Sequence, residues 1–180
     1  MKTKIYFVRG VITSLTLALA SITMAQNHKH HGSTMKMDKK VKKPIDDKTK
    51  AQIKEIMTTY DELHKSFFNY DTKKVQSLAS QLHDTMGKIH NPEIKKLLTY
   101  SNTKLAELKS STDRDKSNQI YNTVSMTLIH VLSTYDTGLA HQSYYCPMVK
   151  KKWIQNPKNG DKVENPYASN MPHCGGLNTM

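Results

Sequence analysis

Cys146, Met148, Met171, His173 and Cys174 stand in two short runs near the C-terminus, Tyr145-Cys146-Pro147-Met148 and Met171-Pro172-His173-Cys174-Gly175. Both cysteines of the chain are among them. Thiolate and thioether are soft donors, and with imidazole they select Cu(I) or another thiophilic ion over Mg, Ca or Mn. Pro147 stiffens the turn between Cys146 and Met148, and Gly175-Gly176 lets the backbone pass close beside Cys174. If the two runs meet, up to two thiolates, two thioethers and one imidazole converge. For a cysteine pair in an exported chain the default reading is a disulfide, whose loop of about 29 residues would contribute roughly 3–4 kcal/mol on the chain-entropy model. Spacing leaves both chemistries open, and they can alternate as an oxidised structural state and a reduced metal-loading state. Trp153 and Tyr167 lie between the runs, placed to pack over such a cluster and exclude water.

Other methionine and histidine pairs carry less. His83, Met86 and His90 fall within about a 100° sector of a helical stretch. Met57 and His64 share one edge of another, and Met126 and His130 are an i, i+4 pair on a third. Side chains four apart on a helix can grip one ion, although a methionine at helical spacing is usually core. Near the N-terminus, His28, His30, His31, Met35 and Met37 lie in a lysine-rich stretch unable to bury a core, which reads as a metal-collecting arm or a plain tether.

Enzyme signatures are missing. The chain has no Gly-x-Ser-x-Gly, no His-Glu-x-x-His, no phosphate-binding glycine loop and no Cys-x-x-Cys. A nucleophilic cysteine wants a base beside it; His141 and His173 are candidates, but nothing in their spacing orders them into a triad. The chain is therefore read as a non-enzyme.

Compartment follows from the first residues. Lys2, Lys4 and Arg9 precede an apolar stretch over residues 11–22, too short to span a bilayer. Thr23-Met24-Ala25 places small residues for a signal peptidase, so residues 1–25 read as a leader and the mature chain as soluble and periplasmic or otherwise exported. Removing it lowers the net charge from +12, since three of its side chains are basic and none acidic. A basic protein invites a nucleic-acid reading. Yet only Arg9 and Arg114 are arginines among 27 basic residues, and phosphate and base recognition favour arginine. The lysines read as a solvated surface.

Residues 26–45 form a linker that should be disordered, and residues 46–180 one domain. Apolar steps of three and four predict four helices. Ile53, Ile56, Tyr60, Leu63 and Phe67 mark the first. Val75, Leu78, Ala79, Leu82, Met86 and Ile89 mark the second. The third carries Ile94, Leu97, Leu98, Leu105 and Leu108, and the fourth Ile120, Val124, Leu128, Val131, Leu132 and Tyr135. Asp71, Asn91-Pro92 and Asp113 supply caps. Short loops imply an antiparallel four-helix bundle. After Gly138 no strand pattern is long enough to argue for a sheet, so the class is all-α with an irregular cysteine-bearing tail.

Taken together, Cys146-Pro147-Met148, Trp153, Asn165-Pro166-Tyr167, Met171 and Cys174-Gly175 resemble the domain of unknown function 3347 family. Residues 53–176 are covered, the helical half matching loosely through Tyr60, Leu63, Asp71, Ala79 and Leu82 and through residues 119–125. That family is an exported helical domain, found alone or appended to CusB/HlyD-type adaptor subunits of heavy-metal efflux pumps. The resemblance implies Cu(I) or Ag(I) handling, with efflux components as partners. His173 before the second cysteine and the lysines after Met148 depart from the family's common shape. The other expectation is a disulfide-stabilised helical interaction module of an envelope complex, without metal.

Overall fold

A computed structural model describes residues 41–157 and 162–180. Residues 1–25, read as a leader, and the tract bearing His28, His30, His31, Met35 and Met37 lie outside the described residues. Four helices come first: α1 (Asp47–Asn69), α2 (Thr72–Gly87), α3 (Pro92–Leu108) and α4 (Arg114–Thr134). Each starts where a side chain satisfies an orphan N–H of the first turn. Asp46 accepts from Thr49, Asp71 from Lys74, Asn91 from Ile94, and Asp113 from Asp115 and Lys116. Pro92 fits at the third helix's start because its missing N–H has no intrahelical duty there. Tyr70, in the left-handed region at φ 45°, ends α1 and lets the chain reverse. The short connections pack each helix on the next.

The all-α expectation is wrong. The tail read as irregular forms a three-stranded antiparallel sheet: β1 (Gln142–Cys146), β2 (Lys151–Gln155) and β3 (Gly176–Asn178), in the order β2-β1-β3. Register runs Gln142 opposite Gln155 to Cys146 opposite Lys151, and Ser143 opposite Asn178 to Tyr145 opposite Gly176. The strands are too short for period-two alternation to show, and their polarity hides it further. Ser143 is buried but satisfied by the Asn178 carbonyl at 2.8 Å, while β2 begins with two lysines. Pro147 has no N–H to give the ladder, so pairing stops at Cys146 and the chain turns through Lys150 at φ 53°.

One core joins bundle and sheet. Phe67 stacks on Tyr121 with centroids 4.4 Å apart, and Tyr121 on Tyr60 at 5.5 Å. From there Tyr167 carries the aromatic seam to Trp153, which stacks on Tyr144 of β1. β2 lies along α4, and its Ile154 N–H donates to the Tyr60 hydroxyl at 3.2 Å. An edge-strand donor that would otherwise be buried unpaired is thereby satisfied.

Of the side chains placed in the core by spacing, Leu78 and Leu97 are only half-buried. Lys43, assigned to the linker, is paired: its N–H reaches Thr134 and its carbonyl accepts from Asp136, both at 2.8 Å. No helix among the described residues is long and apolar enough to cross a membrane.

Candidate metal centre

The two cysteine runs do meet. Cys146 closes β1 and is fully buried; Cys174 comes back beside it, half-buried, with its sulfur 2.7 Å from that of Cys146. Three features bring Cys174 there. A tight turn closes as Met171 N–H donates to Ala168 and Cys174 N–H to Met171. Asn165 clamps the returning segment, its backbone N–H on Pro172 at 2.7 Å and its side-chain amide on the Cys174 carbonyl at 2.9 Å. The Asn165 side-chain oxygen also accepts from Tyr167 N–H, which holds the clamp's own geometry. Finally, Gly175 passes so close to Trp153 that only glycine fits.

The two thiols are inequivalent. Burial alone would push the Cys146 thiol up. The hydrogen bond from Cys174, the backbone N–H groups of Val149 and Met148 and the Asn165 amide outweigh burial and bring it below its ordinary value. Cys174 moves the other way, raised by its hydrogen bond to Cys146, by burial and by the neighbouring negative charge. Of the two, the inner sulfur, cradled by backbone dipoles, is therefore the one whose thiolate is the better stabilised.

Of the remaining candidates, Met148 contributes its backbone N–H to the sulfur pair while its side chain is 68% exposed. Met171 is half-buried in the turn before Cys174. His173 is engaged elsewhere: its Nδ1 donates to the Val163 carbonyl at 2.6 Å, and its ring lies 6.4 Å from that of Phe68. Among the described residues no three His, Cys, Asp or Glu side chains form a metal-holding group, so His173 does not complete one with the cysteines.

The helical pairs are not assembled as ligand sets. Met86 is core, His83 contacts Asp84 and Lys109, and His90 lies beyond the end of α2, bound to Gln52 and Asp46. Met57 and His64 are both buried, whereas Met126 and His130 are exposed. Neither histidine suggested as a base for a cysteine serves as one. His141 Nε2 pairs with the Asp61 carboxylate at 3.1 Å, at the edge of a groove of about 450 Å³ that also holds Lys50 and Lys54. His141 Nδ1 is buried without a hydrogen-bond partner.

Sequence reasoning missed a buried polar chain beneath the site. The Tyr121 hydroxyl donates to Tyr60 at 2.8 Å, so the His64 Nδ1 facing it at 2.8 Å must be the donor. His64 Nε2 then points at the Glu164 carboxylate, 3.6 Å away. Glu164 adjoins Asn165, so α1 holds the segment that positions Cys174. A histidine on the apolar face of a helix was the only signal in the sequence.

No family model, curated protein or solved structure matches this chain.

Proposed function

We propose that the protein is an exported handler of Cu(I) or Ag(I) which takes the ion on the Cys146–Cys174 dithiol. One observation carries the reading: two sulfurs from separate runs lie side by side, one buried among N–H donors and the other reaching the surface. The reading agrees with what the motif residues led us to expect, and on it heavy-metal efflux components are the partners we propose.

Distances define what loading requires. With metal–sulfur bonds of about 2.3 Å, two sulfurs on one ion stand roughly 3.8 Å apart at a tetrahedral angle and about 4.6 Å apart when collinear. At 2.7 Å the pair is too close to hold an ion without opening. Cys174, in the non-helical turn and half-buried, is the side that swings out, losing its proton as the ion enters. The exposed thioether of Met148 stands beside this opening and supplies a third, neutral sulfur by side-chain rotation; Met171 is the alternative third ligand.

A second reading, the disulfide-closed interaction module without metal, draws on the same closeness of the sulfurs. Cu(I) competition against a chromophoric chelator separates the two. Reduced protein should hold one ion per chain, and Cys146→Ser with Cys174→Ser should hold none at that site. Equal Cu(I) retention by the folded double variant would leave the interaction module as the better account.

A further inference from the structure

We propose that the Cys146–Cys174 dithiol is itself a redox reagent, closed by exchange with the disulfide of a partner oxidant, with Cys174 as the entry cysteine and Cys146 as the resolving one. The division of labour follows from access. Cys146 is fully buried, so a disulfide on another molecule cannot reach its sulfur; Cys174 is half-exposed in a turn. Cys146 is the sulfur with donors around it, the N–H groups of Met148 and Val149 and the Asn165 amide. Those donors serve a sulfur that attacks from within, at 2.7 Å from its target.

The steps balance. The Cys174 thiol gives up its proton to solvent. The Cys174 thiolate then attacks a partner disulfide R–S–S–R′, forming Cys174–S–S–R and expelling R′S⁻, which takes a proton from solvent. Cys146 gives up its proton to solvent, and its thiolate attacks the Cys174 sulfur. The Cys146–Cys174 bond forms, and RS⁻ leaves to be protonated. Two thiols have been oxidised by two electrons and one partner disulfide reduced to two thiols. Because the resolving sulfur is already in place, the second step is effectively unimolecular and the mixed disulfide does not accumulate. A closed pair has no thiolate for a soft ion, so exchange would also end metal binding; this last consequence rests on the metal reading above.

Oxidised glutathione is the probe, added to the reduced mature chain, with acid quenching and intact-mass analysis. The wild type should reach the closed pair with no glutathione retained. Cys146→Ser should keep one glutathione, and Cys174→Ser should acquire it slower by on the order of tenfold or more. Peptide mapping of wild type quenched at early times locates the transient adduct without any variant, and should find it on Cys174. An adduct on Cys146, or one retained by the wild type, overturns the proposal, as does a folded Cys174→Ser that reacts as fast as Cys146→Ser. Cu(I) competition before and after closure is scored separately. Reduced protein that never binds Cu(I) removes the metal reading and leaves the exchange standing on the adduct data. A misplaced adduct removes the exchange and leaves the metal reading untouched.

Discussion

Gly175 lies directly against the indole of Trp153: a Cβ at this position would come within 2.5 Å of the Trp153 Cη2. Its φ of +145° is also one that L side chains rarely adopt. The residue after Cys174 is therefore the point where the returning chain is pressed onto the core, and Trp153, fully buried, cannot yield.

Gly175→Ala should accordingly destabilise the fold by roughly 2–4 kcal/mol, from overpacking and backbone strain together. Urea unfolding followed through Trp153 fluorescence measures it. A loss under about half a kilocalorie per mole would mean that β3 and Cys174 are not held against the indole.

Tyr121→Phe removes the hydroxyl that accepts from His64 and donates to Tyr60. With His64 Nδ1 left buried and unpaired, a cost of about 1–3 kcal/mol is expected. Chemical denaturation of the variant checks it, and a neutral result would show that the chain is not continuous.

The pH dependence has a definite sign. The His64 imidazole 3.6 Å away, opposed by burial, holds the Glu164 carboxyl below its ordinary value of 4.5. Since the folded pKa is the lower one, the stability from Glu164 is fully present above that ordinary value and is lost as pH falls through the folded pKa. Wild type should lose stability between about pH 5 and about pH 3 more steeply than Glu164→Gln. Parallel urea midpoints for the two proteins across that range would contradict the His64–Glu164 latch.

Burial separates residues that the helical stripe placed together. Leu82 and Leu128 are buried, and truncation of either to alanine should cost roughly 2–5 kcal/mol. Leu78, half-buried, should cost about 1 kcal/mol or less. Equal losses at Leu78 and Leu82 would contradict the packing.

Met148→Leu keeps size and apolarity while removing the sulfur. The side chain is 68% exposed, so stability should change by no more than about 0.5 kcal/mol. Under the proposed function, Cu(I) is nonetheless surrendered to a competing chelator more readily. Unaltered competition by this variant and by Met171→Leu would restrict the site to the two thiolates.

Local chemistry was legible in the sequence. Asp71, Asn91 with Pro92, and Asp113 cap the helices they were expected to cap, because a cap is a contact over two or three residues. The four apolar stripes were equally plain, since a helix buries one face at a fixed period whatever it packs against. Cys146 and Cys174 were recognisable as a pair by their number and setting. Only the tertiary structure decided the rest. Strands of five, five and three residues are too short to display a period, and they exist because β1 finds β2 and β3 as neighbours and Trp153 finds the bundle. Which cysteine is buried, that Met148 turns to solvent, and that His173 bonds to Val163 are all settled by how the returning segment is clamped. His64 shows the limit most clearly. Its place along the helix could be read from spacing, but its hydrogen-bond partner is set by a chain through Tyr121 and Tyr60, residues brought together across α1 and α4 only by folding.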